Sequence, residues 1–149
     1  MKIQERAVLH NRFDVKVVDA ESGIIKQTAV GFNVITNYYF NCRLTGSPIS
    51  KTSDLFRYIA IGTGTGTPAV TDTALFSHLT RKAVTTLETV YEYPTSHITK
   101  QIKLEATECN GSTITEVALE GVYSGTWSDS YYIMSHAMLQ DSEGNQIAI

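Results

Sequence analysis

The sequence predicts a mostly β protein, namely an antiparallel β-sandwich or barrel with one short α-helix at about residues 33–45. Three observations lead to this fold class. Short segments of alternating apolar and polar residues recur along the chain. Turn-forming residues separate these segments, and Tyr and Thr, which both favour strands, are plentiful. The length of 149 residues suits a single domain, residues 1–149, with enough chain to bury a core.

A β-hairpin is predicted near the N-terminus. Residues 13–18 alternate, with Phe13 on the apolar face, as in a half-buried strand. Residues 19–23 are typical of a turn, and residues 24–30 fit the returning strand. Residues 4–12 are polar and fit either another strand or an arm that orders on a partner. We therefore treat residues 1–12 as a candidate partner-docking arm.

The helical period appears next. Over residues 33–45, apolar residues recur at helical spacing, with Asn33 as a suitable N-cap and Gly46 as a suitable stop. A tyrosine-rich stripe of this kind is expected to pack in the core rather than to line a ligand site. Its members are Val34, Ile35, Tyr38, Tyr39 and Cys42.

A glycine-rich loop occupies the middle of the chain. The apolar run at residues 58–61 predicts a buried strand, and Gly62, Gly64, Gly66 and Pro68 then predict a loop. Asp72 or Thr73 would cap a short helical turn carrying Ala74, Leu75 and Leu79. Residues 64–69 fit the letters of a dinucleotide fingerprint, but Pro68 stands where backbone N–H groups should face the phosphates. The pattern favours a surface loop of a β protein over a nucleotide site.

The second half of the chain predicts further strands. Asn110-Gly111 is the strongest hairpin signal and would join two of them. Residues 121–130 are predicted to be a small polar loop with Trp127 near its centre. Residues 141–145 are predicted to turn back toward a final strand. The strand segments are 82–93, 98–105, 113–119, 131–139 and 146–149.

The search for chemistry finds no catalytic, cofactor or metal pattern. His136 lies among apolar residues and is expected to be a structural histidine, either satisfied or half-exposed, rather than a ligand. Glu116 and Glu120 lie four apart on a strand and are interpreted as a solvated edge. Cys42 and Cys109 form no C-x-x-C pair, which favours isolated thiols over a zinc site or a disulfide. We expect a protein without cofactors and without enzymatic activity.

Composition bears on partners. The net charge of −3, with no basic block, argues against nucleic acid. The first residues lack the apolar core of a signal peptide, and no apolar run has the length of a membrane span. Trp127 in a polar loop would suit stacking on a sugar or on a partner surface, and suits packing against its own core equally well.

Several motifs are spread over nearly the whole chain. They are NRFDVKVVDA (11–20), GIIK (23–26), NVITN (33–37), IAIGTGTGTP (59–68), TDTAL (71–75), ITEVAL (114–119), SHAML (135–139) and DSEGN (141–145). In this order they resemble small virion proteins of tailed bacteriophages and prophages. The chain departs from that pattern at His136, where an arginine often stands in such proteins.

The resemblance implies a non-enzymatic structural component located in the virion, at the tail, neck or collar, or baseplate. Other virion proteins and further copies of the chain would be its partners. The alternatives are a capsid decoration protein, or a receptor- or carbohydrate-binding module that contacts a host surface glycan through Trp127. A nucleotide-dependent enzyme is the third and weakest hypothesis. The candidate interface residues are Phe13, Gly62, Gly64, Gly66, Pro68 and Trp127.

Overall fold

The computed structural model describes residues 11–49, 51–92, 95–105, 107–126 and 128–149. Residues 1–10 of the candidate arm and Trp127 therefore lie outside the described residues. The strands and helices are β1 (Arg12–Val18), β2 (Ile25–Phe32), β3 (Val34–Ile35), α1 (Asn37–Thr45), α2 (Thr52–Leu55), β4 (Tyr58–Gly62), β5 (His78–Ala83), β6 (Thr85–Val90), β7 (His97–Gln101), β8 (Glu116–Ser124) and β9 (Asp129–Met138). The prediction of a mostly β, antiparallel fold is confirmed.

A five-stranded antiparallel sheet forms the centre of the molecule. Its strand order is β3-β9-β8-β4-β5, and β8 and β9 are its longest strands. Two separate two-stranded sheets accompany it, β1-β2 and β6-β7. In the described part of the chain the sheets do not close into a barrel, and the arrangement is sandwich-like.

The two faces of the central sheet are covered differently. Cross-strand partners Ile61, Val117 and Ala137 share one face, and the β1-β2 hairpin packs Phe13 and Ala29 against them. On the other face, Ala60 and Ala118 are cross-strand partners and contact Leu75 from the segment between β4 and β5. The predicted N-terminal hairpin is confirmed, with register Phe13 opposite Gly31.

The predicted helix is shorter than expected. Val34 and Ile35 form β3 and pair with β9, so α1 begins at Asn37 rather than near residue 33. Thr36, not Asn33, is the N-cap: its Oγ1 accepts from Tyr39 N. The backbone of Val34 and Ile35 hydrogen-bonds to the edge of β9. These hydrogen bonds stabilise a strand more than the helical spacing of the two side chains favours a helix. Gly46 ends the helix in the left-handed conformation, with φ 67°, as predicted.

The tyrosine stripe of α1 packs as predicted. Tyr38 stacks on Tyr132 with ring centroids 4.3 Å apart, and Tyr39 lies 5.7 Å from Phe56. Cys42 is buried in the same cluster. Both cysteines are free thiols, as expected.

Several strand boundaries in the second half of the chain differ from the prediction. The strand expected over 82–93 is divided at Val84, whose N–H donates to the Arg57 carbonyl. The strand expected over 98–105 ends at Gln101. The helical turn predicted after Asp72 is absent from residues 71–77, and Leu79 belongs to β5. At Val84 and in the segment 71–77, hydrogen bonds to residues distant in sequence accompany the departure from the prediction.

The strongest predicted hairpin turn is also displaced. Asn110-Gly111 does form a turn, with Gly111 at φ 78°, but the described residues on either side of it are not paired strands. The hairpin joins β8 to β9 instead, with Ser124 paired with Asp129, so residues 121–124 continue a strand rather than begin a loop. The predicted strand over 131–139 corresponds to β9. The C-terminal residues pair inside the domain, where Ile149 exchanges backbone hydrogen bonds with Ile114.

Candidate functional site

The glycine-rich loop is held by a carboxylate from the central sheet. Glu116 is the first residue of β8 and lies opposite Gly62 on β4. Its side chain is fully buried, and Oε1 accepts hydrogen bonds from Gly64 N at 2.9 Å and Ser77 N at 2.8 Å. Oε2 accepts from Phe76 N at 2.9 Å. One glutamate therefore fixes both ends of the segment that joins β4 to β5.

His136 connects this carboxylate to a second one. Its Nε2 lies 3.0 Å from Glu116 Oε2, and its Nδ1 lies 2.7 Å from Asp72 Oδ2. Asp72 also accepts a hydrogen bond from Ala69 N at 2.9 Å. Each ring nitrogen of His136 therefore lies within hydrogen-bond distance of one carboxylate oxygen. We call Asp72, Glu116 and His136 the loop clamp.

The glycines of the loop are required by the close approach of Glu116, Phe76 and Ser77. A Cβ atom at Gly62 would collide with Glu116 Oε1 and the Ser77 carbonyl. A Cβ at Gly64 would collide with Phe76 Cβ, and at Gly66 it would lie 2.8 Å from the Phe76 ring. The glycine repeat therefore makes room for the chain's own side chains and backbone.

The same contacts bear on the nucleotide hypothesis. In a phosphate-binding loop the backbone N–H groups point at the ligand. Here the Gly64 N–H donates to Glu116, which takes the place that an anion would occupy. The His136 ring is fully buried with a carboxylate at each nitrogen, so in this conformation neither nitrogen reaches a substrate. Among the described residues, no group of three or more His, Cys, Asp and Glu is arranged to hold a metal.

A second polar cluster lies further along the same face. Arg81 on β5 donates from Nε to Glu120 Oε2 at 2.7 Å, and its guanidinium carbon lies 3.9 Å from the centre of the Tyr131 ring. The Tyr131 ring in turn contacts Tyr58 edge to face, at 5.3 Å. Stacking on an aromatic face and pairing with a carboxylate satisfy the arginine within the chain.

The prediction that Glu116 and Glu120 form a solvated edge is wrong. Glu116 is 0% exposed and Glu120 is 4% exposed. Their partners lie about forty residues away in sequence, on the segment between β4 and β5 and on β5. The one local signal was the alternation of residues along the strand. Glu116, Ala118 and Glu120 lie on one face, and Val117 and Leu119 lie on the other. That pattern is typical of a solvent-facing strand as well, so the sequence alone does not separate the two.

The candidate interface residues have different surroundings. Phe13 is 8% exposed and packs in the main core, so its side chain already has partners within the chain. Gly62 and Gly64 are buried, Gly66 is exposed and Pro68 is half-buried. Their part in an interface stays a prediction, carried by the exposed end of the loop.

In the part of the chain that the structure describes, neither helix has the length and apolar character needed to cross a membrane. Comparison of the chain with family models, with curated proteins and with solved structures gives no match.

Proposed function

We propose that this chain is a non-enzymatic structural component of a tailed-phage virion, assembling through protein–protein contacts at the tail, neck or collar, or baseplate. Two kinds of observation support the proposal. The motifs described above resemble small virion proteins along nearly the whole chain. The structure adds an uneven distribution of apolar surface, which suits a protein that works by binding neighbours.

The observation that carries the proposal is the clustering of exposed apolar residues at two hairpins. At the turn of the β1-β2 hairpin, Val18 is 50% exposed, Ile24 is 65% exposed and Ile25 is 50% exposed, and Val18 lies opposite Ile25. Ile98 on β7 and Tyr91, directly after β6, are also exposed. Single exposed apolar residues are ordinary, but grouped ones mark interaction surfaces.

The interior of the molecule favours the same conclusion. Among the described residues, the ionisable side chains of the loop clamp and of the Arg81–Glu120 pair are bonded to one another and to backbone. Such groups stabilise a fold when they are fully satisfied. A rigid scaffold with adhesive hairpin ends suits assembly into a particle.

The proposal is tested on purified particles. A tagged copy of the chain is expressed in a host that produces the particles, and its amount per particle is measured by quantitative immunoblotting. The double substitution Ile24→Asp with Ile25→Asp places charge at the β1-β2 turn and is expected to lower incorporation about tenfold, equivalent to about 1.4 kcal/mol of binding free energy. Leu44→Asp is the matched control, since Leu44 is 85% exposed on α1. Absence of the unmodified chain from the particles would overturn the proposal.

A further inference from the structure

The β6-β7 sheet is a two-stranded ribbon whose outer edges pair with no other strand among the described residues. In the described residues, β6 pairs only with β7 and β7 only with β6. An isolated two-stranded ribbon is marginally stable in water, and its unpaired N–H and C=O groups form a template for another strand. Within the part of the chain that the structure describes, the ribbon therefore offers two free edges, one along β6 and one along β7.

Apolar residues become exposed along the ribbon. The chain beyond β7 places Ile102 and Leu104 against the main core. Toward the other end, Ile98 is 51% exposed, Leu87 is 56% exposed and Tyr91 is 89% exposed. The base of the ribbon is thus covered by the domain, while its outer part keeps apolar side chains in water.

Charge is segregated between the two strands. The ionisable residue of β6 is Glu88, whereas those of β7 are His97 and Lys100. Within one ribbon, Glu88 Oε2 already lies 3.6 Å from His97 Nε2. Pairing β6 with β6, or β7 with β7, would set like charges against each other, whereas pairing β6 with β7 sets unlike charges together.

We propose that a second copy of this chain occupies the free edges: β7 of one copy adds antiparallel to β6 of the next. The contact would extend the ribbon into a continuous antiparallel sheet and cover Leu87 and Ile98. Because each copy uses a different edge on each side, the contact is head-to-tail and generates a ring if it closes or a filament if it does not. The inference rests on the proposed assembly function and deepens it, by naming the surface and the partner.

Disulfide trapping between full-length chains tests the pairing directly. All chains carry Cys109→Ser, which leaves the buried Cys42 as the remaining native thiol. One chain carries Glu88→Cys, and its partner carries His97→Cys, Thr99→Cys or Gln101→Cys, three exposed positions that alternate along β7. A disulfide needs Cβ atoms about 4 Å apart, so it reports neighbouring strands only. The expected result is a disulfide-linked dimer in at least one mixture and in none of the single variants.

Two results would overturn the inference. A dimer formed by Glu88→Cys alone would mean that β6 pairs with β6 in a two-fold contact. No dimer in any of the three mixtures would mean that the edges do not pair in this way.

Light scattering on the same protein provides an independent readout. The unmodified chain is expected to give a defined multimer, and Ile98→Asp is expected to raise its dissociation constant about tenfold or more. Leu44→Asp, on the exposed side of α1, is the matched control and is expected to leave the mass unchanged. A monomeric unmodified chain that is nevertheless present in particles overturns this inference and leaves the proposed function intact. A multimeric chain that is absent from particles overturns the proposed function and leaves this inference intact.

Discussion

Two excursions of the chain leave the central sheet, and they are stabilised in opposite ways. The first, residues 63–77 between β4 and β5, lies over the sheet and is held there by Glu116 and His136. The second, the β6-β7 ribbon, forms its strand hydrogen bonds internally and exposes apolar residues. A segment without regular secondary structure is therefore more firmly fixed than a segment with it, because the sheet supplies buried partners to the first and not to the second.

The ion pairs of the two regions show the same contrast. Glu116 and His136 are both fully buried, so their interaction is little screened by water, and removing one leaves the other without one of its buried partners. Glu88 and His97 are 61% and 51% exposed, and such surface pairs contribute little to stability. The burial of the partners, rather than their number, decides which region is rigid.

The largest expected effect comes from removing the carboxylate of the loop clamp. Glu116→Ala deletes the acceptor for three backbone N–H groups and leaves His136 without one of its partners, so we expect a loss of about 3–5 kcal/mol in the free energy of unfolding. Urea denaturation measures this loss. Glu88→Ala on the ribbon is the matched control and should change stability by less than about 0.5 kcal/mol. Equal effects of the two substitutions would contradict the contrast between the regions.

A smaller effect is expected from filling the space beside the loop clamp. Gly64→Ala forces the new methyl group against Phe76 and Ser77 N, and we expect a loss of about 1–3 kcal/mol. Thr65→Ala, one residue along and exposed, should be nearly neutral. The measurement is again urea denaturation. If Gly64→Ala is as well tolerated as its neighbour, the close approach of the loop clamp does not explain the glycines.

The smallest expected effect lies on the ribbon. The backbone carbonyl of Thr95, and then the Glu88 carboxylate, raise the pKa of His97 above its ordinary value of 6.5. A raised pKa means that the charged form favours the folded ribbon, so this contribution is present below pH 6.5 and is lost as the pH rises through the folded value. An NMR titration should place the His97 midpoint above 6.5, and Glu88→Gln should lower it partway. A midpoint at or below 6.5 would contradict the observed hydrogen bond.

Local sequence patterns were sufficient for some segments whose partner lies next to them in the chain. The β1-β2 hairpin and the Gly46 cap were predicted because alternation, turn residues and a left-handed glycine act over a few residues. The Asn110-Gly111 turn was likewise predicted, but its role was not. A turn signal does not specify which strands lie on its two sides.

By itself the sequence determined the antiparallel β class, the position of the loop and its need for glycine. Only the tertiary structure decided what those glycines accommodate. Glu116 and His136 contact the loop from β8 and β9, and most of these contacts join residues 40 or more positions apart in sequence. It also decided that Val34 and Ile35 join a strand and that Thr36 caps the helix. The physical reason is the same throughout. A buried backbone group must have a hydrogen-bond partner, and that partner is a group near it in space rather than near it in sequence.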